Sequence, residues 1–253
     1  RMLELAGEPK ASAYQKAETV FALEKAMAEN AKLPVELRDR LANYNKMTIA
    51  DAIAAYPGLS LRRFIDGLGV PAGVTEVIVG QPKFLEGVSK LLQDRPLDDW
   101  KTYVRWHLIR SAAPHLTEAL DEERFRFYGT VLSGTPKQEA RWQRAARLVD
   151  GSVGDALGQL YVAKHFPPES KARMLEMIGN IKAVMRDRLT TLEWMSEETR
   201  RKAVAKFDRF EAMIGYTDQW RDYSAVEIRR DDHFGNVTRA VRAESRRQID
   251  RTG

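Results

Sequence analysis

Hydrophobic side chains recur at steps of three and four residues along almost the whole chain, and strict alternation of apolar and polar positions is nearly absent. That pattern predicts an all-α fold, a bundle-like domain of roughly ten helices with at most a short edge strand. Pro9 opens a run in which Tyr14, Ala17, Phe21 and Glu24 share one line beside Val20 and Leu23, so a helix to about Asn30 is expected, and Pro34 closes that neighbourhood. Thr48 and Asp51 have the spacing of a capping box, in which hydroxyl and carboxylate satisfy the free amides of a helix start. That helix should stop at Tyr56-Pro57-Gly58. A second should start at Ser60, carry Leu61, Phe64, Ile65 and Leu68 inward, and end near Gly69. Glu76-Val77-Ile78-Val79 is the only β-branched run and is read as one edge or linker strand.

Helical patterning then resumes. Pro82 suits a first turn, and Pro96 precedes another helix through Trp100, Val104 and Leu108, broken at Pro114. Leu120, Phe127, Tyr128 and Val131 form the next stripe, with Gly134 as its cap and Thr135-Pro136 as the following start. Between Pro136 and Ala163, and again between Ser170 and Trp194, the spacing places Trp142, Leu160, Tyr161, Ile178, Ile181 and Met185 in the core. Gly151, Gly154 and Gly158 lack the preceding strand and the lysine of a phosphate loop, so close packing is the better reading. Ser196 is a helix cap followed by Glu197 and Glu198, after which Ala203, Phe207 and Phe210 should face inward. Ser224 and Glu227 suggest a further capping box, leading to a last helix with Phe234, Val237, Val241 and Ile249 on one side. Its other side carries Arg239, Arg242, Arg246, Arg247 and Arg251, a solvated or partner-facing surface, with phosphate or anionic lipid contact as the other reading.

With 253 residues, 43% hydrophobic and 30% charged, the chain is long enough for a real core. No run of roughly 18 apolar residues exists, so no membrane span is expected. The first residues also lack the apolar centre of a signal peptide. A net charge of +5 is small beside 41 Lys and Arg set against 36 Asp and Glu, and the positive residues are dispersed, so nucleic acid is not an expected partner. Zero cysteines exclude disulfides, thiolate metal sites and cysteine nucleophiles.

The remaining chemistry can be tested by exhaustion. The four histidines, His107, His115, His165 and His233, include no His-Glu-x-x-His pair, so the zinc geometry of two imidazoles one helical turn apart is not supplied here. His115 and Glu118 stand three apart, which predicts a local hydrogen bond or surface pair. No Gly-x-Ser-x-Gly elbow follows a strand. Asp98-Asp99, Glu122-Glu123, Glu197-Glu198 and Asp231-Asp232 are adjacent, as helix-start charges are. No catalytic, cofactor-binding or metal residue is therefore assigned in this chain.

Several segments resemble, in order, the landmarks of one family: Tyr44-Asn45-Lys46-Met47-Thr48, Phe127-Tyr128-Gly129-Thr130-Val131-Leu132-Ser133-Gly134-Thr135, and Trp142 followed by Val149-Asp150-Gly151. Ala156-Leu157-Gly158-Gln159-Leu160-Tyr161-Val162, Leu192-Glu193-Trp194-Met195-Ser196-Glu197-Glu198-Thr199 and Ile214-Gly215-Tyr216 continue the series. The chain resembles the neprilysin and endothelin-converting-enzyme family of zinc metallopeptidases, and the likeness extends over nearly all of it. The lack of cysteines departs from the disulfide-bearing animal members and points to a bacterial relative.

The resemblance implies that residues 1–253 form the mainly helical second domain, a cap over the active-site cavity that limits substrates to peptides, together with its connections to a catalytic domain outside this chain. It implies zinc for the parent enzyme, held by residues outside this chain, with none bound here. It also implies the catalytic domain and peptide substrates as partners and a periplasmic or extracellular location. The chain by itself is expected to be inactive and to be a piece of a larger protein, the alternative being a free-standing helical module that binds peptides or a protein without hydrolysing them. Glycine-bearing breaks at Gly67 to Gly73 and at Ile214-Gly215-Tyr216 are the candidate hinges of such a cap.

Overall fold

The computed structural model describes residues 1–252. In chain order the elements are α1 (Met2–Leu5), α2 (Lys10–Ala28), β1 (Lys46–Thr48), α3 (Ile49–Ala55), α4 (Leu61–Leu68), β2 (Glu76–Ile78), α5 (Pro82–Asp94) and α6 (Leu97–Ala112). After these come α7 (Glu118–Phe125), a π-helical stretch (Arg126–Leu132), α8 (Arg141–His165), α9 (Pro168–Thr191), α10 (Glu197–Phe207) and α11 (His233–Asp250). Among the described residues the only sheet is β1 with β2, antiparallel, with Lys46 opposite Ile78 and Thr48 opposite Glu76. The fold is all-α, as the periodicity predicts. The chain forms two compact units, the first from Arg1–Glu139 with the segment that begins at Glu227, the second from Ala140–Val226.

The first unit holds what core there is. Met2 of α1, Leu120 of α7 and Ala113, in the 3₁₀ turn Ala113–His115, are buried together, with Leu5, Trp106 and Ile109 packed against them. On α2 the covered line is Ala13, Val20 and Leu23, whereas Tyr14 and Phe21 point outward, so the helix is rotated from the expected Tyr14–Phe21 line. Glu8, just before α2, fastens three parts of the chain. Its carboxylate accepts from Lys16 Nζ and Arg105 Nη1, each at 2.6 Å, and from Ser12 Oγ at 3.2 Å. The Lys16 hydrogen bond is the largest influence holding this carboxyl below its ordinary value of 4.5, with Ser12 and the charges of Lys16 and Arg105 adding to it while burial opposes.

Thr48 ends β1 and caps α3, its Oγ1 accepting from the Asp51 amide at 3.0 Å and donating to the Asp51 carboxylate at 2.7 Å. The turn Pro57–Leu59 presses against α5, where Gly58 N–H donates to Ser89 Oγ at 2.9 Å. A Cβ at Gly58 would lie 2.1 Å from the Ser89 carbonyl oxygen, so no side chain is accommodated there. α4 starts at Ser60 as expected, although the Ser60 side chain makes no capping bond. The turn forces Ser60 to φ 48°, and α4 then leaves Phe64 and Leu68 on the surface rather than inward.

The second unit contains no buried residue among those described, and this corrects the expected core. Trp142, Leu160, Tyr161, Ile181 and Met185 are all exposed, Leu160 at 73%, and Ile178 is half-buried. Helical spacing identifies an apolar face without saying that anything covers it. Polar braces hold this unit together instead: Arg186 forks onto Asp208 at 2.8 and 3.3 Å, Lys182 reaches the Phe210 carbonyl, and Lys171 donates to Tyr216 O and Asp218. Phe210, expected inward, is exposed beneath Lys182, whose ammonium lies 5.7 Å from the ring centroid.

Two helix starts also differ from expectation. α8 begins at Arg141 rather than Pro136, because Gln138 donates to the Asp121 carboxylate at 3.1 Å and holds the lead-in out of the helix. Ser224 folds back onto Asp222, and Glu227 pairs with Arg229, so α11 is capped by Asp232, which accepts from the Gly235 amide at 3.0 Å. On α11 the covered residue is Ala240, while Phe234 and Val241 are exposed. Of the three glycines in α8, only Gly158 meets another segment, the Trp220 ring, and at Val153 (φ −138°, ψ 44°) the backbone leaves helical angles, so the run marks a kink.

These differences in cover set the expected mutational responses. Leu23, with 0% exposure, should lose about 2–5 kcal/mol on Leu23→Ala, whereas Leu160→Ala should stay within about 0.5 kcal/mol of the parent chain in urea denaturation. The depressed Glu8 carboxyl contributes stability that is present above pH 4.5 and fades as pH falls through its lower folded value. Glu8→Gln should therefore weaken the fold at pH 7 and flatten the loss of melting temperature on acidification.

Candidate functional site

His115 does not pair with Glu118. It ends the 3₁₀ turn after α6, and its Nδ1 lies 3.3 Å from Nε2 of His233, the first residue of α11, with ring centroids 5.3 Å apart. Burial chiefly, and then His233, pushes His115 below its ordinary value of 6.5; Arg124 adds to the depression and Asp121 opposes it. Sequence spacing could not reveal this pair, since 118 positions separate its members. His107 of α6 faces Glu24 of α2 at 3.3 Å, and the His165 ring lies tilted against Tyr161 at the end of α8. Among the described residues, no three of the His, Asp and Glu side chains come together as metal ligands would.

Two of the hollows in the first unit are lined by apolar and charged side chains together. One, of about 450 Å³, is walled by Met2, Val20, Phe21, Trp106, Phe127 and Tyr128, with Glu24 and Arg110 at its polar edge. The other, of about 580 Å³, has Ile53, Tyr56 and Leu61 as its floor and Arg62, Arg63 and Asp66 at its rim. Neither hollow joins a nucleophile to a base. The α11 arginines are mostly engaged locally: Arg239 with Asp232 at 2.9 Å and with the Glu227 carbonyl, Arg246 with Asp250 at 3.0 Å, and Arg247 with Glu244.

The surface of the second unit carries many apolar side chains. On α9, Met174, Met177, Ile181 and Val184 follow one another at three- and four-residue steps, Met185 stands four beyond Ile181, all five are exposed, and α8 adds exposed Trp142, Leu160 and Tyr161. The α9 residues give that helix an apolar face left partly open to solvent. The break at Ile214–Tyr216 is tightly built. Gly215 has φ 71°, a Cβ there would sit 2.6 Å from Phe166, and Tyr216 packs edge-on to Phe166 and stacks on Trp220. Gly69, at φ 71°, caps α4.

Comparison with known proteins identifies the family to which this helical chain belongs. The profile of peptidase family M13, that of its N-terminal region, matches residues 1–217, and the chain belongs to that family. Neprilysin-2 of Drosophila melanogaster is 31% identical over 243 residues, covering 87% of this chain and 31% of the relative. A neutral endopeptidase of Lactobacillus helveticus is 28% identical over 218 residues, covering 86% of this chain and 33% of the relative. The structure of the Mycobacterium tuberculosis zinc metalloprotease Zmp1 in an open state superposes with a TM-score of 0.89 at 37% identity, covering 98% of this chain and 39% of that one. The chain thus spans about a third of the length of the curated relatives it matches.

Zinc is the metal that this family implies. A catalytic zinc site needs three protein ligands around one open position, and the residues described here do not fit it, because no such trio converges. The outward stripe of α9 yields a direct check. Ile181→Asp with Met185→Asp should leave helicity and melting almost unchanged while lowering the chain's binding of a fluorescent hydrophobic dye; loss of the fold would show the stripe to be core.

Proposed function

We propose that this chain is the helical N-terminal portion of a neprilysin-like zinc metalloendopeptidase, covering the active-site cavity and limiting its substrates to peptides. The single observation that carries the reading is the α9 stripe, apolar at helical spacing and uncovered in a chain about a third as long as its relatives. Catalytic residues and zinc belong, in this proposal, to the portion of the parent outside these 253 residues, and the partners are that catalytic portion and peptide substrates. A periplasmic or extracellular location is part of the same proposal, supported by the family resemblance.

This portion's contribution is enclosure. A helical cover over a metal centre excludes bulk water, strengthens the electrostatic interactions inside, and admits substrates by size. The chain alone neither hydrolyses peptides nor keeps zinc through dialysis. The alternative, a free-standing peptide-binding module, draws on the aromatic hollow beside Trp106 and Phe127, and it predicts binding without turnover.

An engineered disulfide in the parent enzyme separates these readings. Locking this portion closed should abolish turnover of short peptides while zinc stays bound, and reduction should restore it. Unchanged turnover under a verified lock would contradict the enclosing role.

A further inference from the structure

His115 and His233 converge across 118 positions of sequence, and the chemistry of that approach is not used by the family reading. Their facing nitrogens are 3.3 Å apart. That spacing fits an N–H···N hydrogen bond whose donor is set by the imidazole tautomer, toward the long end of the range. It is also the separation that a tetrahedral ion imposes on two ligands: two bonds of about 2.0–2.1 Å at the tetrahedral angle place their nitrogens about 3.3–3.4 Å apart. We propose that His115 Nδ1 and His233 Nε2 form a two-histidine site for a divalent first-row transition-metal ion of the zinc, nickel or copper class, which fastens α11 to the turn that follows α6.

The surroundings define the site's character. Imidazole nitrogens suit zinc, nickel and copper, whereas calcium and magnesium favour oxygen ligands, so the hard ions are not its occupants. Both residues are reachable, His233 being exposed and His115 half-buried, and water can complete the coordination. Asp121 near His115 favours a cation and Arg124 opposes it, so binding is weak and reversible, as suits two protein ligands rather than three or four. Topology gives such an ion a purpose. The chain leaves the first unit after Glu139 and rejoins it at Glu227, and these two histidines lie on either side of that excursion. An ion bound there would tie the returning helix to the segment that precedes the departure, and would stabilise the folded chain by mass action.

Calorimetric titration of the tag-free 253-residue chain with Zn²⁺, Ni²⁺ and Cu²⁺ in a non-chelating buffer, paired with thermal melting, tests this. The expected result is one ion per chain, copper bound more tightly than zinc, and a melting temperature raised by about 3 °C at about tenfold excess over the dissociation constant. His115→Gln and His233→Gln, each verified as folded by circular dichroism, should each weaken binding at least about tenfold, while His165→Gln leaves it intact. Absence of binding, or binding that persists in both variants or falls equally in the His165 control, would overturn the site and leave the pair as a long N–H···N contact.

Discussion

Apolar surface that has no cover inside the chain is the constraint on which the rest of the structure depends. Each such side chain gains about 1.5–3 kcal/mol when fully buried. The half-exposed residues of the α9 stripe therefore hold several kcal/mol in reserve, a large fraction of the 5–15 kcal/mol that stabilises a whole domain. In the proposed reading this face is an interface, and the longer relatives, of which this chain spans about a third, have further chain available to cover it.

The two units meet this constraint differently. The first buries a small cluster around Met2, Ala113 and Leu120, and binds its first turn down through Glu8, where Lys16 and Arg105 converge on one carboxylate. The second unit has no equivalent interior. Its helices are held by forks and staples such as Arg186 on Asp208 and Lys171 on Tyr216, together with the Phe166–Tyr216–Trp220 aromatic knot, so that its apolar faces stay available. Polar bracing of this sort fixes helix positions while costing little hydrophobic surface. At the Ile214–Tyr216 break, a Cβ on Gly215 would meet the Phe166 ring, so glycine is required at that turn.

Local chemistry explains which parts of the fold were legible in the sequence. Helix starts at Thr48 and Ser196, the proline-led start of α5, and the Gly69 and Gly134 turns depend on residues a few positions apart, and the structure agrees with each. Burial was not legible, because periodicity identifies an apolar face and not its cover; Leu160 and Ile181 have core spacing and lie in the open. β1 escaped notice because Lys46-Met47-Thr48 has no strand pattern of its own and exists through pairing with Glu76–Ile78. Capping at Ser224 failed for a similar reason, since Asp222 captures the hydroxyl that the spacing had assigned to a helix. The His115–His233 pair is a product of topology alone, and only the family landmarks, read together, carried information about the larger protein.

Side-chain oxidation footprinting, performed on the 253-residue chain and on the complete parent enzyme, tests the central claim most directly. Met174, Met177 and Met185 should oxidise rapidly in the chain alone and several-fold more slowly in the parent, while buried Met2 stays protected in both. Equal oxidation of the α9 methionines in the two proteins would contradict the claim that this face is built to be covered.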